Sequence, residues 1–190
     1  MIVTKILCQD VSNRSTILFN AILPFLRSDT SVLDIGCGYA DYPKFQGTIL
    51  PLLLNTSLPK LAYYGIDNRP EVIAQCKTAY PWGEWTMGDA SRFVLKRQYD
   101  TVFHLGFDRK DLSDTWLVHQ NLQDAGYKPR IVFLEAGSPI GVMSKHVESF
   151  HEVQALYSKW GYILRANDEY MWSYKVTQPS RRYAIMERNE

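Results

Sequence analysis

Two glycines and two carboxylates are the residues of this chain whose spacing most clearly indicates chemistry. Asp34 lies near the end of an apolar run and is followed by Gly36 and Gly38, and Asp67 ends a second apolar run further along the chain. Glycine lets the backbone approach a ligand closely and adopt dihedral angles that other residues avoid. A carboxylate at the end of the next strand can accept hydrogen bonds from both hydroxyls of a ribose. The pattern therefore predicts a strand–loop–helix–strand unit that holds a nucleoside-like cofactor.

The third small residue of the loop separates two classes of cofactor. A dinucleotide-binding loop, G-x-G-x-x-G, would have its third glycine at position 41, where this chain has Asp41. A carboxylate beside a pyrophosphate would be repulsive. The pattern that is present is Asp34-x-Gly36-x-Gly38-x-Ala40. It resembles motif I of the class I S-adenosylmethionine-dependent methyltransferases, with Ala40 in place of the last glycine.

The resemblance implies S-adenosylmethionine as the cofactor and suggests which residues bind it. Asp34 would help to hold the amino acid end of the cofactor, and the glycine loop would receive its methionine carboxylate. Asp67 would bind the ribose hydroxyls, with Asn68 and Arg69 on the adenine side. The other implied contacts are the loop residues Gly36, Cys37 and Gly38, the adenine-reading pair Asp89 and Ala90, and the backbone of His104 and Leu105 at the methionine ammonium.

Three of these residues also have another interpretation. Asp67 could cap the helix that begins near Pro70, and Asp89 could cap the helix that follows it. Cys37 could be regarded as a nucleophile, but in the family this position of motif I carries a variable small residue. We therefore expect no catalytic chemistry at Cys37.

Alternating apolar runs and helical patterns predict the elements that position these residues. Predicted strands cover 31–35, 61–66, 85–87, 101–105, 130–134, 162–166 (with an extension to 172 as the alternative) and 182–187. Predicted helices include 16–23, 70–79, 93–95, 111–124 and 144–160. This order favours an α/β fold with a parallel sheet. Together with the resemblance, it predicts a single-domain Rossmann-like three-layer sandwich whose seven-stranded, mostly parallel sheet has an antiparallel C-terminal strand. Within the domain, 1–30 would form a helical segment at the substrate side and 31–190 the cofactor-binding core.

Length, charge and cysteine content limit the classes of partner. The 190 residues suffice for one domain with a full core, and the formal net charge of +1 gives no reason to expect a nucleic acid or an acidic membrane as partner. The three cysteines form no C-x-x-C pair, and no apolar run approaches membrane-spanning length. We expect a cytoplasmic protein without a membrane partner, and its oligomeric state stays open.

A methyl transfer needs an aligned nucleophile, and it needs a general base only if the acceptor is protonated when it attacks. The candidate base is His104, because we expect it at the end of strand four, facing the methyl group. In addition, an unperturbed histidine titrates at about pH 6.5, which suits removal of a proton from an acceptor. Asp108 would orient His104 or act itself. Alternatively, His104 shapes the pocket floor and Asp108 caps the next helix. Glu135 is a third polar group near this edge, and the spacing of His146 and His151 does not suit one metal ion, so we expect no metal site.

The sequence thus predicts an S-adenosylmethionine-dependent methyltransferase that acts on a small-molecule acceptor. A nucleic-acid methyltransferase is the enzymatic alternative, although the segment His104-Leu105-Gly106-Phe107 replaces the N/D-P-P-Y/F tetrapeptide of the base amino-methyltransferases. A protein that keeps the fold and the cofactor but regulates or scaffolds a partner is the alternative from another class. None of these motifs specifies the acceptor.

Overall fold

The structure, a computed structural model, describes residues 13–38, 49–54, 56, 61–92, 97–107, 112–137, 143–171 and 180–189. Its strands are β1 (Ser31–Ile35), β2 (Ala62–Asp67), β3 (Glu84–Met87), β4 (Thr101–Phe107), β5 (Ile131–Gly137), β6 (Tyr162–Met171) and β7 (Ser180–Arg188). Its α-helices are α1 (Asn13–Ile22), α2 (Leu50–Leu54), α3 (Pro70–Ala79), α4 (Leu112–Asp124) and α5 (Met143–Lys159). Short 3-10 turns cover Leu23–Phe25 and Ala90–Arg92. Across these described ranges, no helix is both long and apolar enough to cross a membrane.

The described strands form one seven-stranded sheet in the order β3-β2-β1-β4-β5-β7-β6. Strands β1 to β5 pair in parallel, whereas β7 is antiparallel to both of its neighbours, β5 and β6. Six strands therefore run in one direction and the C-terminal strand runs against them. The predicted Rossmann-like α/β fold with an antiparallel C-terminal strand is confirmed.

Helices cover both faces of the sheet because alternate residues of each buried strand point to opposite sides. On one face, Val32, Tyr63 and Phe103 pack in a cluster with side chains of α1, α2 and α3. On the other face, Leu33 and Val102 pack with α4, while β5 and β7 pack with α5. The result is the predicted three-layer arrangement, with apolar cores on either side of the sheet.

Several predicted boundaries differ from those of the structure. Strand β4 continues two residues beyond the predicted end at 105, and β6 continues to Met171, which agrees with the longer of its two predicted ends. The sheet pairing explains the longer β6, because it stays in register with β7 beyond a shift between Leu164 and Ala166. Of the helix predicted after the glycine loop, only α2 lies in a described range, and the predicted helix at 93–95 lies outside the described residues.

Gly65 lies in the middle of β2, directly under the residues that form the candidate site. A methyl group at this position would lie 2.5 Å from Cε3 and Cζ3 of the Trp85 ring and 2.9 Å from Sγ of Cys37. The Trp85 ring is held in place by its indole N–H, which donates to the Tyr80 carbonyl oxygen at 2.8 Å. Only glycine leaves room for Trp85 to pack across β2 and β3, and the glycine loop rests on this packing.

The Gly65→Ala variant should therefore be less stable than the unmodified protein by about 1–3 kcal/mol, the usual cost of overpacking a dense core. The matched control is Gly88→Ala, because among the described residues the added methyl group would meet only Ile66 Cδ1, at 3.7 Å. That control should be neutral or slightly stabilising, since alanine restricts the unfolded chain. Urea unfolding of the three proteins measures the difference, and equal free energies of unfolding for both variants would contradict the packing argument.

Candidate cofactor site

The site lies where the strand order of the sheet reverses. Strand β1 pairs with β2 on one side and with β4 on the other, so the chain leaves β1 and β4 in opposite directions. In open α/β sheets the crevice beyond the carboxyl ends of such strands is the usual place for a ligand. The predicted loop residues Gly36, Cys37 and Gly38 follow β1 at this point, whereas Ala40 and Asp41 lie outside the described residues.

The glycine loop is shaped by hydrogen bonds to the end of β2. Gly36 and Gly38 have φ angles of 68° and 58°, a left-handed conformation that strongly favours glycine. The N–H groups of Gly36 and Cys37 both donate to the Ile66 carbonyl oxygen, at 2.8 and 3.0 Å. The Gly38 N–H donates to Oδ2 of Asp67 at 3.0 Å. The structure thus brings together the loop and Asp67, which the sequence placed in one site.

Asp67 is buried, and its carboxylate accepts four hydrogen bonds. Oδ1 accepts from the Arg69 backbone N–H at 3.0 Å and from Arg69 Nε at 2.9 Å. Oδ2 accepts from the Gly38 N–H and from Arg69 Nη2, both at 3.0 Å. Burial alone would raise the pKa of Asp67, but the bonds from Arg69 and Gly38 outweigh it and the pKa lies below its ordinary value. Asp67 does not cap α3, whose N-cap residue is Arg69.

Asp34 is the second buried carboxyl group of the site. The phenol O–H of Tyr63 donates to Asp34 Oδ2, across the β1–β2 pair on the side of α1, α2 and α3. Burial raises the pKa of Asp34 to about 7; the bond from Tyr63 opposes this shift, and the charge of Asp67 adds to it. Asp34 therefore differs from Asp67 in charge at neutral pH, although both end apolar strand segments.

His104 does not lie at the end of its strand, and this expectation is wrong. Strand β4 continues to Phe107, and His104 pairs in register with Ile35 of β1. Its imidazole lies on the face of the sheet that α4 covers, where Nδ1 is 3.0 Å from Nε2 of His119. Burial, and then the neighbouring His119, hold the pKa of His104 well below its ordinary value. This lowered pKa weakens the reason for expecting His104 to act as a base.

Known structures resemble this arrangement over nearly the whole chain, although no family model and no curated protein sequence matches it. The N-methyltransferase NodS from Bradyrhizobium japonicum, in complex with S-adenosyl-L-homocysteine, has a TM-score of 0.65 at 14% identity, over 93% of this chain and 86% of its own. The plantazolicin methyltransferase BamL, in complex with a triazolic desmethylPZN analogue and S-adenosyl-homocysteine, has a TM-score of 0.63 at 13% identity, over 95% of this chain and 85% of its own. A TehB-like methyltransferase from Corynebacterium glutamicum has a TM-score of 0.61 at 17% identity, over 92% and 87%. The chain has the fold of a class I S-adenosylmethionine-dependent methyltransferase.

Asp89 lies in the loop after β3 and caps the short helical turn that follows it, which is the alternative that the sequence offered for this residue. Oδ1 accepts from the Ser91 N–H at 2.9 Å and from the Ser91 hydroxyl at 2.7 Å, which caps the 3-10 turn at Ala90–Arg92. The carboxylate stays half exposed. The preceding Gly88 N–H donates to the Asp67 carbonyl oxygen at 3.0 Å, so the β3 loop is joined to the ribose end of the predicted site. Asn68 is exposed beside it, and adenine contact by Asp89, Ala90 and Asn68 stays a prediction.

Cys37 has the properties of a structural thiol within the glycine loop. It is buried and hydrogen-bonded to Cys76 of α3, and the Cys76 thiol also approaches the Gly38 carbonyl oxygen at 3.4 Å. The bond to Cys76 and burial raise the pKa of Cys37, so the thiol keeps its proton. A nucleophile needs the thiolate, and these contacts support the expectation of no catalysis at Cys37.

Glu135 lies at the centre of a buried ionic cluster on the other side of β4. Its fully buried carboxylate accepts from Arg14 of α1, Arg181 of β7 and the Tyr170 phenol of β6, the latter at 2.6 Å. Burial alone would raise the pKa of Glu135, but the charges of Arg14 and Arg181 lower it to about 2. The cluster joins the N-terminal helix to three strands.

Sequence reasoning missed several of these partners for identifiable reasons. A basic run such as Arg181-Arg182 is usually solvated, but alternation along β7 buries Arg181 and leaves Arg182 partly exposed. The Arg69 side chain is 48% exposed, yet its guanidinium is hydrogen-bonded to Asp67. His119 and Tyr63 gave no local signal, because their partners are distant in sequence. Leu105 packs its side chain into the core, and Asp108 lies outside the described residues.

The raised pKa of Asp34 makes its effect on stability depend on pH in a predictable direction. A carboxyl group with a higher pKa in the folded state supports folding below its unfolded pKa and loses that contribution as the pH rises towards its folded pKa. Asp34→Asn stays neutral and can still accept from Tyr63. At about pH 8 the variant should be more stable than the unmodified protein by on the order of 2 kcal/mol, with no such gain at about pH 4.

Urea unfolding at both pH values measures this difference. Asp124→Asn is the matched control, because Asp124 is exposed and its partner is the surface residue Gln120. A gain in stability for Asp34→Asn of the same size at both pH values would contradict a buried, titrating carboxyl group.

Proposed function

We propose that this protein is an S-adenosylmethionine-dependent methyltransferase that transfers a methyl group to a small-molecule acceptor. The observation that carries the proposal is the left-handed glycine loop whose Gly38 N–H is bonded to Asp67, at the strand reversal of a methyltransferase fold. Two solved proteins of this fold, NodS and BamL, hold S-adenosyl-homocysteine.

The residues present fit the proposed cofactor. Among the described residues, a methyl group added to Gly36 would meet no atom within 4 Å, and one added to Gly38 would first meet Arg69 Nη2, at 3.9 Å, so no described side chain fills the space beside these two glycines. Asp67 supplies a carboxylate of the kind that accepts from two ribose hydroxyls. Asp34, whose pKa of about 7 leaves the carboxyl group partly protonated at neutral pH, would lie towards the amino acid end of the cofactor. The carbonyl groups at the end of β4 would lie there too. When bound, S-adenosylmethionine supplies a methyl group made electrophilic by its sulfonium.

Asp67 cannot accept further hydrogen bonds while Arg69 keeps its position. Each carboxylate oxygen offers about two lone pairs, and Oδ1 and Oδ2 each already accept two hydrogen bonds. Ribose hydroxyls would therefore have to displace the Arg69 guanidinium, whose side chain is half exposed and able to move. The Gly38 bond can remain, so the loop would keep its shape while the ligand replaces Arg69.

For this reaction the protein mainly has to align the acceptor with the methyl group of the cofactor. Holding the acceptor in line with the transferred methyl group can lower such a barrier by about 7–11 kcal/mol. No group of fixed identity has to remove a proton unless the acceptor is protonated during attack. His104 and Asp108 stay candidates for contact with the acceptor.

The acceptor is expected beside the N-terminal helix. Arg14 of α1 and Glu135 of β5 form a buried ion pair, and this contact supports the proposal that 1–30 covers the substrate side of one domain that spans 1–190. The balanced charge favours a small molecule over a nucleic acid. Cys37 and Cys76 are buried thiols that are not joined in a disulfide, which suits the proposed cytoplasmic location.

Cofactor binding can be measured by isothermal titration with S-adenosylmethionine and S-adenosyl-homocysteine. Asp67→Ala should weaken both affinities by roughly ten- to a hundredfold, because a hydrogen bond to a charged group contributes about 1.5–3 kcal/mol. The control Asp124→Ala removes a surface carboxylate and should bind normally. Absence of binding by the unmodified protein, or an unchanged affinity in Asp67→Ala, would refute the proposed function.

Replacing Arg69 tests whether its guanidinium competes with the ribose. Arg69→Met keeps the apolar stem and removes the charged group, so the same titration should show binding that is tighter by up to about fivefold, the scale of an exposed ion pair. Arg92→Met is the control, since Arg92 is exposed and lies 3.6 Å from Asp89. Weaker binding in Arg69→Met would instead show that Arg69 contacts the cofactor.

A screen of acceptors then separates the remaining functions. Methyl transfer from labelled S-adenosylmethionine to amines, phenols or carboxylates would support the small-molecule enzyme, and transfer to RNA would support the alternative acceptor class. Tight cofactor binding without transfer to any of them would favour a regulatory or scaffold protein with this fold.

A further inference from the structure

A chain of hydrogen bonds beneath β4 links three rings from three elements. Nδ1 of His104 is 3.0 Å from Nε2 of His119 in α4, and Nδ1 of His119 is 2.8 Å from the Tyr157 hydroxyl in α5. The ring centroids are 5.2 Å apart for the two histidines and 5.4 Å apart for His119 and Tyr157. In each of these two hydrogen bonds one atom donates and the other accepts, and the surroundings of the three rings determine which is which.

Tyr157 sets the direction at the inner end of the chain. Its side chain is 2% exposed, and within the described ranges His119 is the one group that hydrogen-bonds to its hydroxyl. If the hydroxyl accepted from His119, its own O–H would be buried without an acceptor, which costs more than an ordinary hydrogen bond contributes. Burial, followed by the effect of Tyr162, raises the pKa of Tyr157 well above its ordinary value, so the phenol has a proton to donate. Tyr157 therefore donates to Nδ1 of His119.

His119 passes this direction on to His104. It is fully buried, and burial lowers its pKa to about 3, so the ring is neutral and carries a single proton. Because Nδ1 accepts from Tyr157, that proton is on Nε2, which points at His104. His104 Nδ1 must then be the acceptor of this bond.

We propose that Tyr157 acts through His119 to fix His104 as the neutral tautomer with its proton on Nε2. His119 and Tyr157 are positioning residues in this arrangement, since neither needs to touch a substrate. In this tautomer His104 has no basic nitrogen, because Nδ1 accepts from His119 and Nε2 carries the proton. For the reaction, and resting on the proposed function, His104 does not remove a proton from the acceptor.

The tautomers can be observed directly by long-range ¹H–¹⁵N correlation spectra of the labelled, ligand-free protein near neutral pH. The chain has four histidines, so the ring signals can be assigned with single substitutions. We expect pyrrole-type nitrogen at Nε2 and pyridine-type nitrogen at Nδ1 in both His104 and His119. A proton on Nδ1 of either ring overturns the proposal without any variant being needed.

A variant assigns the effect to Tyr157. In Tyr157→Phe the His119 Nδ1 loses its donor, so its ¹⁵N resonance should move towards that of an imine nitrogen free of hydrogen bonds, and His104 Nδ1 should follow by a smaller amount. Tyr127→Phe is the matched control, because it removes a buried phenol that bonds the Tyr99 carbonyl oxygen at 3.0 Å. Unchanged histidine resonances in Tyr157→Phe would overturn the role of Tyr157.

The catalytic consequence has its own comparison, made in the acceptor assay. His104→Gln replaces the ring with a polar side chain that cannot act as a base. Its turnover should stay within about tenfold of that of the unmodified protein, because general-base catalysis typically contributes about a hundredfold or more and His104 supplies none of it. A loss of about a hundredfold or more with normal cofactor binding would overturn the proposal that His104 removes no proton. Failure of cofactor binding would refute the proposed function and leave the spectroscopic result intact.

Discussion

The bond from the Gly38 N–H to the Asp67 carboxylate is the interaction on which the candidate site depends. It joins the loop after β1 to the end of β2, and the bonds of Gly36 and Cys37 to the Ile66 carbonyl oxygen complete the junction. These bonds require left-handed φ angles at both glycines. Below the loop, Gly65 leaves room for the Trp85 ring and the Cys37 side chain, which a methyl group at this position would meet at 2.5 and 2.9 Å. The shape of the described part of the loop is therefore set by its neighbouring strands.

Three buried carboxyl groups show how differently one fold can hold the same chemical group. Asp34 has a phenol as its partner, and its pKa rises to about 7. Asp67 has two backbone N–H groups and one half-exposed arginine side chain as partners, and its pKa falls. Glu135 has two buried arginines, and its pKa falls to about 2. Asp67, with a partner that can move into solvent, is the one suited to exchange that partner for a ligand, while Glu135 is suited to hold elements together.

The fold could be predicted from the sequence because strand order in the chain and the glycine motif agree on one architecture. The β7 strand and the strand reversal at β1 and β4 follow from that architecture, and both are present. The side-chain partners could not be predicted in the same way. Arg14, Glu135 and Arg181 are separated by more than 40 residues, and no local pattern distinguishes a buried arginine from a solvated one. Asp89 illustrates the limit, because the same residue type at a turn suits a cap and a ligand contact equally well.

His104 shows why the position of a residue along a strand is insufficient to assign its role. Alternation along β4 sends Phe103 and Leu105 to the α1–α3 side and Val102 and His104 to the α4–α5 side. A histidine near the carboxyl end thus has its ring held by helices, although its backbone lies beside β1. Its hydrogen-bonding character is then determined at a distance, because each neutral imidazole in a chain can donate at one nitrogen only. The direction of that chain depends on Tyr157, whose hydroxyl has His119 as its one hydrogen-bond partner among the described residues.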